Sequence, residues 1–193
     1  SAAASVKSTG LLDVSGTVSG LSALTLVSAG GVLLGSLNVG GALVMNDITG
    51  PIAQAAGAQL RVGATTTINA AGQMVTLANP SNDFTGTVSV QGKDLQIRDS
   101  NTLTAAVIAT GDVSLQSTGA LQVSGVVSGP DSDVLMTSGS ATVFGAFDVS
   151  GSLSLVSAGP VSQILPVAGS ATPAPALLVR GSSTSISAIG QSI

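Results

Sequence analysis

The chain has 193 residues, a formal net charge of −4, 44% hydrophobic residues and only 7% charged ones. That composition is too apolar for intrinsic disorder, and five scattered basic residues leave no footprint for nucleic acid. With no His and no Cys, the chain has no Ser-His-Asp triad, thiol nucleophile, disulfide, or imidazole or thiolate metal ligand.

All nine acids are Asp, and there are two Lys, so exposed helix faces cannot be built in the usual way. Short runs of Val, Ile, Thr and Leu, cut by Gly, predict strands. Trp and Tyr are absent and Phe occurs only at Phe84, Phe144 and Phe147, which suits a narrow aliphatic interior. No apolar run is long enough to span a bilayer as a helix. An outer-membrane barrel would carry aromatic girdles that this composition lacks. A chain opening on Ser1, without a charged and then apolar leader, reads as a mature product or an internal piece.

Residues 1–20 are small and polar and end in the echo Val14-Ser15-Gly16, Val18-Ser19-Gly20. They are expected to form a first coil or a cap. An apolar–any–apolar triplet then keeps returning. Its copies are Leu24-Thr25-Leu26, Leu43-Val44-Met45, Leu60-Arg61-Val62, Val75-Thr76-Leu77, Leu95-Gln96-Ile97, Val113-Ser114-Leu115, Val134-Leu135-Met136 and Leu153-Ser154-Leu155. Their starts are 19, 17, 15, 20, 18, 21 and 19 residues apart. Such a period signals a solenoid. Further short strands follow each triplet, for example Val32-Leu33-Leu34 and Leu37-Asn38-Val39 after Leu24.

The expected fold is all-β, a right-handed parallel β-helix with three short strands per coil and about 19 residues per coil. Roughly ten coils spaced by about 4.8 Å would make a rod about 50 Å long. The shaft is expected over residues 21–159, with the outer members of each triplet pointing inward. Thr25, Arg61, Thr76, Gln96 and Ser114 should point outward. The run Ala53–Ala58 reads as a slack connection. Asn79–Asp83 and Gly129-Pro130-Asp131 read as turn-rich corners. Residues 160–193 carry Pro160, Pro166, Pro173 and Pro175 and read as an irregular coil or linker. Ser182–Ile193 should be weakly ordered unless docked. One direct repeat stands out: Leu26-Val27-Ser28-Ala29-Gly30 against Leu155-Val156-Ser157-Ala158-Gly159.

Three stretches carry a family resemblance. They are Asn79-Pro80-Ser81-Asn82-Asp83-Phe84-Thr85-Gly86-Thr87-Val88, Asp94-Leu95-Gln96-Ile97-Arg98-Asp99, and Gly111-Asp112-Val113-Ser114-Leu115 followed by Gly119-Ala120-Leu121. This succession resembles the shaft repeats of filamentous haemagglutinin-type adhesins, giant bacterial exoproteins exported by two-partner secretion. It covers about a quarter of the chain closely and the remainder only in style. The resemblance implies a β-helix shaft, export through an outer-membrane two-partner transporter, and display at or release from the cell surface. It brings no catalytic residues. The stalks of contact-dependent inhibition toxins share the style, and the family's secretion domain is not recognisable.

Carboxylates are the only plausible chemistry. Asp94, Asp99 and Asp112 are close in sequence with Arg98 among them, and stacked coils could bring Asp94 and Asp112 to one side. Glycosidase chemistry would need two carboxyls about 5–10 Å apart. The plainer expectation is that these Asp residues cap corners and keep the rod soluble. Asp131-Ser132-Asp133 resembles a fragment of a Ca²⁺ loop but lacks the six or more oxygen ligands such a site needs, so a turn is expected. Thr65-Thr66-Thr67 is not repeated from coil to coil, which argues against an ice-binding ladder. No catalytic, cofactor-binding or metal residue is therefore expected.

The reading is a structural or adhesive shaft of an extracellular or cell-surface bacterial protein, and not an enzyme. Its expected partners are the transporter and a host-cell or bacterial glycan or receptor. The alternative is a self-associating extracellular fibre, since low charge and open strand edges favour pairing. A β-helix carbohydrate enzyme is the third and least favoured reading.

Overall fold

The computed structural model describes residues 2–46, 48–164 and 177–189. Among these there is no helix, and every strand pairing is parallel. The first coil holds β1 (Ala2–Ser8) and β2 (Leu12–Val18), and the second β3 (Leu21–Ser28) and β4 (Val32–Val39). The third holds β5 (Ala42–Asn46), β6 (Ile52–Gln54) and β7 (Leu60–Val62). The fourth holds β8 (Thr66–Asn69), β9 (Val75–Leu77) and β10 (Asp83–Phe84). Next come β11 (Val88–Gly92) with β12 (Leu95–Asp99), then β13 (Leu103–Ala109) with β14 (Val113–Ser117). The seventh and eighth coils pair β15 (Leu121–Val127) with β16 (Val134–Ser138), and β17 (Thr142–Val149) with β18 (Leu153–Ser157). A partly described closing coil holds β19 (Val161–Gln163), β20 (Leu177–Val179) and β21 (Thr184–Ala188).

The result is a β-solenoid of about eight turns of roughly 20 residues. At about 4.8 Å per coil the rod is about 40 Å long, shorter than the sequence expectation. The expected three strands per coil take a particular form. β4 bends, so that β6 continues its first half and β7 its second. β17 likewise carries β19 on its first half and β20 on its second. Register shifts in β2 and between β15 and β17 mark where a strand turns a corner by a bulge instead of a loop. Three faces exist, but two of them share one strand wherever that happens.

Every outer member of the eight triplets is buried, from Leu24 and Leu26 to Leu153 and Leu155, while Arg61 is exposed and Thr25, Thr76, Gln96 and Ser114 are half-buried. The triplets do not form one file, however. Leu24–Leu26 and Leu43–Met45 lie on the sheet of β1 and β3, and Leu60–Val62 on the branch formed by β7 and β10. The five from Val75 onward stack on the sheet of β9 and β12. The intervals of 17 and 15 mark passages from one face to another. The true file through this sheet is Leu12, Val32, Ile52, Val75, Leu95, Val113, Val134, Leu153, with steps of 20, 20, 23, 20, 18, 21 and 19 residues. Alternation of side chains is the same on every face, so an inward strand spells the same triplet wherever it lies.

The direct repeat has the same explanation. Leu26–Gly30 ends β3 on one sheet and Leu155–Gly159 ends β18 on the other. What the two copies share is a corner. Ser28 and Ser157 both point inward, fully buried, and their hydroxyls donate to carbonyls of the preceding coil, Gly10 at 2.7 Å and Ser140 at 2.8 Å.

All three Phe side chains are interior, and the Phe144 and Phe147 rings stack at 6.2 Å across the bend of β17. One sequence expectation is corrected, and another meets its stated exception. Ala53–Ala58 is not slack throughout: Ala53 lies in β6, and Ala58 is buried. Thr184–Ala188 is docked, pairing along its whole length with β18. Arg180 helps to hold that last coil, reaching Asp148 through two hydrogen bonds at 3.0 and 2.7 Å. Pro166, Pro173 and Pro175 lie outside the described residues.

Candidate functional site

Among the described residues, carboxylates repeat from coil to coil at the corner just before β12, β14, β16 and β18. Asp94, Asp112 and Asp133 sit one above another there. The Asp112 N–H donates to Asp94 Oδ1 at 3.1 Å, the Asp133 N–H to Asp112 Oδ1 at 2.9 Å, and the Ser152 N–H to Asp133 Oδ1 at 2.7 Å. Each carboxylate thus caps the next coil's entry into its strand. Asp94 also meets Lys93 Nζ at 3.8 Å through Oδ2, in an exposed pair.

Beside this acidic file runs a shallow groove of about 640 Å³. Its floor is the outward row Thr76, Gln96, Ser114, Leu135, Ser154, Ser185, in register through six successive coils. Hydroxyls and one amide dominate the row, and Leu135 and the flanking Met74 are half-exposed apolar points. Sequence reasoning allowed for Asp94 and Asp112 on one side, and stacking does bring them together. Their shared role is main-chain capping. Among the described residues no group of three carboxylates is arranged to hold a metal ion.

Asp99 does not join them. Expected as a solvated corner residue, it is buried, 1% exposed, because it shares the inward parity of Leu95 and Ile97. It stacks in register with Ser117, Ser138 and Ser157. Those hydroxyls donate to corner carbonyls, Ser117 to Asn101 and Ala120 at 2.6 and 2.8 Å. Asp99 accepts the Asn101 N–H at 3.2 Å, and its Oδ2 has no partner. Burial therefore pushes its carboxyl up to about 6, with the Asp83 charge adding and the Asn101 N–H opposing. Arg98 points the other way, into the outward row Gln116, Thr137, Val156.

Sequence reasoning missed a polar hub at Asn82, inside the stretch read as a turn-rich corner. Asn82 is fully buried. Its Oδ1 accepts from the Leu60 N–H at 2.9 Å and from Gln54 Nε2 at 2.7 Å. Its Nδ2 donates to Gln54 Oε1 at 3.0 Å and to the Leu77 carbonyl at 3.1 Å. Asn82 and Gln54 together satisfy backbone groups of the third and fourth coils. No local pattern signals this, since the partners lie 28 residues apart.

Asp131 is in a left-handed turn conformation, φ 52°, as a corner requires, and the adjacent Ser132 is buried. Thr66 points inward while Thr67 lies in an outward row with Val44, Ser89 and Ala106, so no threonine ladder forms.

A family model described as repeats of unknown function (DUF5649) matches residues 20–91 and 131–193, well over half of the chain. The chain belongs to this repeat family. The two matched segments of the DUF5649 chain each contain one copy of the direct repeat, and the coils between them continue the same parallel stacking. No curated protein and no solved structure matches it.

Proposed function

We propose that this chain is a non-catalytic shaft segment of a secreted bacterial surface protein, holding a binding or effector region away from the cell. The observation that carries this reading is the interior. Files of buried aliphatic side chains run from coil to coil, and the serine hydroxyls among them, Ser28, Ser117 and Ser157, bond to corner carbonyls instead of converging on a cleft. The acidic file fits the same role, because in each carboxylate one oxygen is already engaged by the backbone.

The finer reading is a filamentous haemagglutinin-type exoprotein. It rests on the resemblance of Asn79–Val88, Asp94–Asp99 and Gly111–Leu115 to shaft repeats of that kind. On this reading the protein leaves through an outer-membrane two-partner transporter and works at the bacterial surface or beyond it. A host-cell or bacterial glycan or receptor then engages its tip.

The test is incubation with acidic and neutral polysaccharides, with and without Ca²⁺. The expected outcome is no new reducing ends and no unsaturated products. Turnover that disappears in Asp94→Asn or Asp112→Asn would overturn the shaft reading in favour of a carbohydrate enzyme.

A further inference from the structure

The outer face of the sheet through β12, β14 and β16 carries two matched files. At the strand entries stand the acceptors Asp94, Asp112 and Asp133. Four residues further on in each coil stands a donor: Arg98, Gln116 and Thr137, in register through the same three coils. Midway between the files runs the row Gln96, Ser114, Leu135. Strand alternation turns all three files to the same outward side. Asp112, Asp133 and Leu135 are exposed, Leu135 by 53%. Each carboxylate gives one oxygen to the next coil's N–H and keeps the other for a further donor. Lys93 approaches only Asp94, at 3.8 Å in an exposed pair. Arg98 has no ion-pair partner among the described residues.

We infer that this face is an interface for a second copy of the chain, the two rods lying side by side and parallel about a two-fold axis that runs along the row Gln96, Ser114, Leu135. Such an axis exchanges the two edges of the face and keeps each coil level with its counterpart. The acceptor file of each copy then lies over the donor file of the other. Asp94 meets Arg98 of the second copy, Asp112 meets Gln116, and Asp133 meets Thr137, each twice by symmetry. The two central rows interdigitate, Leu135 packs beside Leu135, and the groove along the acidic file of each copy is filled. Antiparallel rods would need the axis across them, which sets acid file against acid file, and like charges so placed oppose the contact. The parallel contact is isologous, so it stops at two. The outward row is in register through six coils. At about 4.8 Å per coil and about 17 Å of strand, the two copies together bury roughly 1,000 Å². That is the low end for a specific pair, so the dimer is weak and forms at high protein concentration. It uses the flank of the rod and neither end, so it holds equally for a segment inside a longer shaft, whatever that shaft carries.

The experiment is sedimentation equilibrium at up to about 1 mM on the 193-residue chain and on Leu135→Glu, Arg98→Asp, Asp94→Arg and the double exchange of the last two. Far-UV circular dichroism and thermal melts are the folding control. The wild-type chain should dimerise and go no further, and high salt should weaken the dimer. Leu135→Glu should abolish it, because two like charges then meet on the axis. Either single reversal should weaken it by about tenfold or more, and the double exchange should restore it. An equimolar mixture of Arg98→Asp and Asp94→Arg should form a heterodimer, because one then presents Asp at both edges and the other Arg. Asp94→Arg also removes a cap; Leu135→Glu and Arg98→Asp touch no capping bond and decide the matter if it melts early. A wild-type monomer at all concentrations, a mass growing beyond two, or a dimer indifferent to Leu135→Glu and Arg98→Asp would each overturn the inference.

Discussion

Asp99 carries a carboxyl where the next three coils use a serine hydroxyl, and pH can reveal the difference. The ordinary carboxyl value of 3.8 applies to the unfolded chain, and burial raises the folded one to about 6. Between these values the folded state holds a proton that the unfolded state has lost. The contribution to stability is full below pH 4 and disappears as pH rises through 6, by at most about 3 kcal/mol. Asp148, held below the usual carboxylate range by its hydrogen bond to Arg180, acts in the opposite sense and only in more acidic solution. Urea unfolding should therefore show a more stable protein at pH 4.5 than at pH 7. Asp99→Ser should flatten that dependence and stabilise the protein at pH 7 by about 1–2 kcal/mol. An unchanged pH profile in the variant would mean that Oδ2 has a partner. The burial of Asp99 was legible in principle, since Leu95, Ile97 and Asp99 alternate to the same side. The preference of charges for water argued the other way, and strand parity won. Asn82 was not legible, because its inward turn is stabilised by Gln54, a residue of another coil.

At the scale of the strand and its corner, the alternation of buried and outward residues was readable without a structure, and the faces were not. A triplet states that its ends are inside but not which of three faces it lines, so two phase changes passed as irregular spacing. The corners divide their work between an inner row of hydroxyls and an outer row of carboxylates. This gives contrasting expectations for neighbouring positions. Asp112→Asn keeps an acceptor for the Asp133 N–H and should cost less than about 0.5 kcal/mol, while Asp112→Ala should cost about 1 kcal/mol. Leu115→Asp, three residues on, places an unpaired charge in the aliphatic file and should cost more than about 4 kcal/mol, abolishing the folded state in a marginal protein. Chemical denaturation of the three variants checks the order. Equal damage from Asp112→Asn and Leu115→Asp would mean that the negative charge itself is needed at the corner.

For the whole molecule, the governing fact is that, among the described residues, each coil's strands pair only with those of the coils before and after it. Stability is then close to a sum over coils and their interfaces. Deleting residues 113–133 joins Asp112 to Val134, removes β14 and β15, and leaves β12 to pair with β16 and β13 with β17. The shortened chain should fold, lose about 4.8 Å of length, and melt cooperatively at a modestly lower temperature. Scattering and thermal melts would measure both, and an unfolded product would show that the coils are not interchangeable units. The same arrangement has a mechanical side. The hydrogen bonds between coils all run along the rod. Tension applied at its two ends therefore meets them as a zipper, and the outermost coil peels before the next is strained. Each coil of roughly 20 residues that peels adds about 65–70 Å of slack. A rod of this kind is stiff against bending and yields stepwise under pull, so that a tug is dissipated coil by coil.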